Sequence, residues 1–207
     1  MTTQSPNIEN TEKINLIVNA AQKRFGVFGL LKTTMQEIAS DLSMSKGLLY
    51  YYFPDKEHLY KAVVEKEQNE FIKTFNCKIE KISSPEEMLK EYVNIRLSYF
   101  KSLINLNRLS FDASASVNNV LGDIWVEFRE KEIEEVKKIF TKGSENKVFN
   151  ISNINQTTSL FVDLLKGLRF IEIHRKRIFY IDEVEYKALA IKSKDFTEIF
   201  INGLKYR

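Results

Sequence analysis

Glycine and proline are scarce: 7 Gly and 3 Pro stand among 207 residues, less than half of the ~12% that the two average together. A turn-rich sandwich, a barrel and a collagen-like chain all fit that deficit poorly. One cysteine, Cys77, excludes an internal disulfide, and with only His58 and His174 available no Cys/His set of zinc-binding spacing exists. Glycine-rich phosphate loops, Ser/His/Asp sets and Cys/His pairs are also missing from the pattern, so neither an enzyme nor a cofactor is indicated. No apolar run approaches the ~18 residues of a membrane span, and Met1 to Lys13 lacks a basic stretch followed by an apolar one. A soluble protein of the reducing cytoplasm is the expectation. Charge of one sign is lacking too, since the net charge is only +3. Residues 1 to 60 carry six Lys/Arg and six Asp/Glu, so any nucleic-acid binding depends on where those charges sit.

Hydrophobic residues, at 43%, and charged residues, at 29%, suffice for a real core. Their spacing is helical, which predicts an all-α fold. The polar stretch 1–10 shows no period and reads as a flexible arm. Ile14, Val18, Ala21, Phe25 and Phe28 mark a first helix, with Gly29 where a left-handed cap would sit. Thr34-Met35-Gln36-Glu37 is a capping box for a second helix ending near Leu42. Ser45 can cap a short third helix to about Phe53, and Asp55 a long fourth one striped by Val64, Phe71, Phe75, Ile79 and Ile82. Ser84-Pro85-Glu86-Glu87 starts a fifth. A short helix near 108–115, a longer one from about Val120 to Thr141 closed by Gly143, and a polar loop over 143–153 follow. Two long helices, about Ile154 to Arg175 and Asp182 to Leu204, end the chain, the last with Asp182 and Glu185 as a capping pair.

The informative stretch is Ile38 to Tyr52. Two short helices can pack at a steep angle across a tight turn when the crossing residue is small and the buried side apolar. Ala39 is the small residue, and Ile38, Leu42, Met44, Leu49 and Tyr52 form the apolar side. This is the pattern of a helix-turn-helix, whose second helix enters the major groove of DNA by its N-terminal residues. Those residues are Ser45, Lys46, Gly47 and Leu48. Ser43 stands where the turn commonly holds glycine, so it must take a left-handed conformation at some cost or use a different turn.

With Ala20-Ala21, Phe25, Gly29, Thr33-Thr34, Ile38-Ala39, Ser45-Lys46-Gly47, Leu49-Tyr50, Tyr52-Phe53 and Asp55-Lys56-Glu57-Leu59 in order and spacing, residues 14–64 resemble the N-terminal domain of the TetR family of bacterial transcriptional regulators. The remaining helices match that family only in number and length. The resemblance implies a helix-turn-helix domain over 11–57 and a helical effector-binding and dimerisation domain over 58–207. It also implies a homodimer on a palindromic operator, most simply a repressor released by a small molecule. Carried over by position, Thr33 or Thr34 and Gln36 would contact phosphate, and Ser45, Lys46, Gly47 and Leu48 would approach base edges. Tyr50, Tyr51 and Lys56 would clamp the backbone. Helix N-termini and tyrosine hydroxyls suit phosphate, and Leu48 suits a thymine methyl better than a hydrogen bond. Three consecutive tyrosines cannot share one helix face, so Tyr52 reads as core. Glu37 and Asp41 are expected to face away from DNA.

Further along, Phe161, Leu164, Gly167, Leu168 and Ile171, with Tyr186, Ala190, Phe196, Phe200 and Leu204, form stripes that either make a four-helix seam with a second subunit or pack inside one monomer. Gly167 costs about 1 kcal/mol in mid-helix unless close packing repays it. Tyr92, Tyr99, Phe100, Phe111, Trp125 and Phe128, with Cys77 near them, line a pocket for an apolar or aromatic effector or else are simply core. Asp112, Asp123 and Glu127 would meet a cationic ligand or lie solvated at the surface. The competing class is an α-helical ligand-binding protein or enzyme that does not bind an operator.

Overall fold

The computed structural model describes residues 6–102, 115–175 and 183–206, and those residues form eight helices. They are α1 (Pro6–Lys32), α2 (Met35–Asp41), α3 (Lys46–Tyr52), α4 (Lys56–Ile79), α5 (Pro85–Ser102), α6 (Ala115–Glu145), α7 (Ile154–Arg175) and α8 (Glu183–Leu204). The fold is all-α. By internal contacts the chain divides into two compact units. The first extends to Gln68 and takes in the start of α6 as far as Trp125; the second comprises Asn69–Ser102 and everything from Val126 onward.

Local signals account for most helix limits. Thr34 closes both halves of its capping box: its hydroxyl accepts from the Glu37 N–H at 3.3 Å, and its own N–H donates to the Glu37 carboxylate at 2.8 Å. Ser45 accepts from the Leu48 N–H at 3.2 Å, Asp55 from the His58 N–H at 2.7 Å, and Ser84 from the Glu87 N–H at 3.4 Å. Three expectations change. Residues 6–10 belong to α1 rather than to a loose arm, proline being well suited to a first helical position. α6 begins at Ala115, and it runs past Gly143 to Glu145. Glycine at 143 ends no helix; a Cβ there would lie 2.1 Å from the fully buried Phe149 ring, and the left-handed residue is Lys147 at φ 56°. The helix near 108–115 and the cap at Asp182 lie outside the described residues, save for Ala115, which starts α6.

In the first unit, α1 breaks at Gly29, whose φ of 77° favours glycine. The bend is tied down by the Thr33 hydroxyl, which donates to the Gly29 carbonyl at 2.8 Å, and by the Lys56 ammonium, which donates to the carbonyls of Leu30 and Thr33 at 2.8 and 3.1 Å. Ile17, Ala21, Phe25, Ile38, Ala39, Leu49, Leu59 and Val63 are fully buried. Phe25 meets Tyr60 edge-on at 5.4 Å, so the first half of α4 packs with α1.

Ser43 takes the left-handed option, at φ 53°. A side chain there costs roughly 1 kcal/mol. Ser43→Gly is therefore expected to raise stability by up to about 1 kcal/mol, read as a higher urea midpoint with an unchanged slope.

The second unit is cored by rings. Phe161 is fully buried and lies 5.0 Å from Phe200, 5.6 Å from Phe140 and 5.7 Å from Phe196. Phe149 forms an isolated antiparallel bridge to Lys205, and the Asn150 N–H donates to the Leu204 carbonyl at 2.6 Å, which anchors the loop before α7 to the end of α8.

Candidate nucleic-acid interface

The turn between α2 and α3 is short because backbone bonds close it at once: the Ser43 N–H donates to the Ser40 carbonyl at 3.1 Å and the Met44 N–H to the Ala39 carbonyl at 3.0 Å. Ala39 and Ile38 are fully buried at the crossing, and Leu49 anchors α3 from the other side. Everything else at the start of α3 faces out. Of the seven residues from Ser45 to Tyr51, six are exposed and only Leu49 is buried. Tyr51 is 78% exposed, and the Lys46 ammonium lies 5.6 Å from the Tyr50 ring centre. A Cβ at Gly47 would meet nothing within 4 Å, so the backbone there is open to close approach. Tyr52 is half-buried with its ring against Tyr51, so it is not one of the buried core residues that its reading expected.

The acids of this region are neutralised from within. Arg24 on α1 holds Asp41 in a two-pronged contact at 2.5 and 2.9 Å and lies 3.4 Å from Glu37. The hydrogen bond from Arg24 lowers the pKa of Asp41, and the backbone and hydroxyl bonds from Thr34 lower that of Glu37. Both acids are thus engaged as anions, and Lys46 stays free of them.

Two expected contacts move inside. Thr33 is fully buried with its hydroxyl bonded to Gly29, so it offers nothing to phosphate. Lys56 directs its ammonium to the Leu30 and Thr33 carbonyls, which makes it a fastener of the α1–α2 joint. Thr34, Gln36, Ser45, Lys46, Gly47, Leu48, Tyr50 and Tyr51 remain exposed.

The family model described as bacterial regulatory proteins, tetR family, matches residues 17–63, which span α1 to α4 of this unit. The crystal structure of a transcriptional regulator from Cytophaga hutchinsonii is 38% identical, covers 94% of this chain and 99% of its own, and superposes with a TM-score of 0.86. The chain belongs to the TetR family. The regulator QacR of Staphylococcus aureus is 23% identical over 190 residues, 91% of this chain and 96% of its own length. A TetR-family regulator from Mesorhizobium loti, 19% identical with a TM-score of 0.78, shares the fold. As a TetR-family member the protein is a DNA-binding transcriptional regulator and not an enzyme.

In this TetR-family regulator the described residues among those expected at the effector are spread over both units. Tyr92 is fully buried, with its hydroxyl donating to Glu132 and accepting from Arg96, each at 2.9 Å. Tyr99 and Phe128 pack on Phe71 at 4.9 and 5.5 Å. Trp125 is on the surface of the first unit, Cys77 is exposed, and Phe111 lies outside the described residues. Asp123 and Glu127 are exposed, as a solvated reading expects; Asp112 is outside the described residues. Of the expected lining, only Phe100 borders the cavity between α5, α7 and α8. Its other apolar walls are Val93, Leu97, Leu165 and Leu189, and its polar members are Arg96, Arg169 and Ser193. The cavity encloses about 20 Å³, room for roughly one water, within a cleft of about 310 Å³ that includes open solvent.

Those cations were not anticipated, although Arg96 interrupts the apolar series Val93, Leu97, Phe100, which was the available signal. Arg96 pairs with the buried Glu132, and the Lys166 ammonium lies 3.6 Å from the second Glu132 oxygen. Burial, then Arg96, Arg129 and Arg169, push the pKa of Lys166 down to about 7, against a weaker opposing pull from Asp163. Between that value and the ~10.4 of an unfolded lysine, the unfolded chain binds more protons, so stability rises with pH. An unfolding midpoint higher at pH 9 than at pH 7 is the expected result, and an equal or lower one would contradict it. Tyr60 and Tyr92, both raised by burial, oppose this trend only above about pH 10.

The expected dimer residues also divide. Phe161 is buried inside the second unit, with Phe196 and Phe200 half-buried against it, and Tyr186 carries the Lys101 ammonium 4.7 Å from its ring centre. Leu164 and Ile171 are exposed; Gly167, Leu168, Ala190 and Leu204 are partly so. The outward stripe on α7 keeps Leu164 and Ile171 of the expected one with Leu160 in place of Phe161, and on α8 it is Val184, Ile191 and Ile199.

Proposed function

We propose that this protein is a repressor that binds a palindromic operator as a homodimer, through the open face of α3, and leaves it when a small molecule binds the second unit. The observation that carries this reading is the exposure of Ser45 to Tyr51, apart from Leu49, on a short helix whose N-terminus is capped and aimed outward. Lys46, Gly47 and Leu48 would approach base edges, while Thr34, Gln36, Tyr50 and Tyr51 would bind the backbone.

Dimerisation is supported by the apolar side chains that α7 and α8 leave in solvent. Leu160, Leu164 and Ile171 recur at helical spacing, and Ile191 and Ile199 are 60% and 73% exposed. Gly167, in the middle of that face, has open space where its Cβ would be, so nothing within the monomer repays its helical cost. A second copy packed closely there would. For effector release, α4 offers a link, since this single helix begins in the DNA-binding unit and continues into the second one. An effector that prefers one setting of α4 weakens operator binding by the same coupling energy with which DNA weakens effector binding.

Selection of bound fragments from the source genome tests the reading. Expected is enrichment of a palindrome whose half-sites lie about one helical turn apart, or a multiple of it, with enrichment lost when the effector is added. Failure to enrich any fragment, or a sedimenting species that is monomeric at micromolar concentration, would contradict it.

A further inference from the structure

A cation with no acid beside it stands at the cavity of the second unit. Arg169 lays its guanidinium 5.1 Å from the Phe100 ring centre. Burial, reinforced by Arg96, pushes its pKa down to about 10. Among the described residues no carboxylate is paired with it. Its surroundings do not compensate. Arg96 and Lys166 share one buried carboxylate, Glu132, and Asp163 is held by Arg129 at 3.0 and 2.7 Å. A half-buried charge without a partner still costs desolvation, and an incoming anion relieves that cost.

The lining narrows the ligand. The polar residues that border the cleft are Arg96, Arg169 and Ser193. A guanidinium takes a carboxylate in a two-pronged fork. The remaining walls, from Val93, Leu97, Phe100, Leu165 and Leu189, are aliphatic or aromatic. A cationic ligand would meet two like charges, Arg96 and Arg169.

We propose that the second unit binds a monocarboxylic acid with an apolar body, its carboxylate against Arg169 and Arg96 beside Ser193 and its body along the apolar walls of α5, α7 and α8. This rests on the effector-binding reading above and specifies the ligand class. Binding places a new anion near Lys166, so the lysine takes up a proton at neutral pH.

The test is calorimetric titration of the full chain with straight-chain carboxylates of six to twelve carbons and with phenylacetate, each beside its primary amide and its amine. At least one acid should bind tenfold or more tightly than its amide and amine, with proton uptake at pH 7.5 revealed by buffers of different ionisation heat. Arg169→Gln should remove that preference and leave amide affinity unchanged. Arg169→Met, which deletes an unpaired, half-buried charge, should unfold at a higher temperature than the parent without ligand. Acids that bind no better than their amides, a preference that survives Arg169→Gln, or a lower unfolding temperature for Arg169→Met would each overturn the proposal. Operator binding separates it from the effector reading. An acid that binds through Arg169 without altering operator affinity supports the site and defeats its role as effector. Release by an amine or amide that Arg169→Gln does not alter upholds effector release and overturns the carboxylate assignment.

Discussion

Glu132→Ala is expected to destabilise the protein by about 3–5 kcal/mol, the cost of removing one partner from a buried ion pair. The Glu132 side chain is only 1% exposed. One oxygen receives the Tyr92 hydroxyl and the Arg96 guanidinium, and the other is within 3.6 Å of the Lys166 ammonium. Truncation strands Arg96 and leaves the Tyr92 hydroxyl without its acceptor. Replacing both charges at once, as in Glu132→Leu with Arg96→Met, should recover most of the loss, since apolar pairs of similar volume are tolerated where a lone charge is not. Urea unfolding of the two variants and the parent reads the difference. A loss under about 1 kcal/mol for Glu132→Ala would mean that water reaches these charges.

Phe161→Ala should cost about as much, roughly 3–5 kcal/mol, because a fully buried ring is lost and its neighbours relax only in part. The ring touches three others, Phe140, Phe196 and Phe200, and faces Tyr92 at 6.1 Å. The concentration dependence of that loss is as informative as its size. A residue in a seam between subunits loses stability mainly through dissociation, so its midpoint shifts with protein concentration. Phe161 is inside one unit, so the loss attributable to its cavity should be the same at low and high concentration. A loss confined to dilute samples would place the ring in the subunit seam after all.

What could be read ahead from residues and what could not follows from distance along the chain. Caps act over three residues, so Thr34 with Glu37, Ser45 with Leu48 and Ser84 with Glu87 mark the starts of α2, α3 and α5 in the sequence itself. The helix-turn-helix was legible for the same reason, down to the strained Ser43. Long-range partners were not. Lys56 looks like a phosphate clamp until it is seen reaching carbonyls 23 and 26 residues away. Gly143 looks like a helix end until the Phe149 ring, brought back by the loop, occupies its missing side chain's place. On α7 the sequence is apolar at both 160–161 and 164–165, so periodicity could not say which set faces inward; the rings of α6 and α8 decide it for Phe161 and Leu165. The cluster of Arg96, Glu132, Lys166 and Arg169 comes from three helices, and only their packing brings it together.

The most direct measurement is a salt titration of binding to a selected operator fragment, comparing the parent with Lys46→Ala and Tyr51→Ala. Both side chains are exposed, so neither change should alter the unfolding midpoint. If the open face of α3 lies in the groove, each variant binds the operator several-fold more weakly, and the slope of log affinity against log salt flattens for Lys46→Ala, which removes a cation from the groove. Affinity and slope both unchanged in the two variants would show that DNA, if bound, is held elsewhere on the molecule.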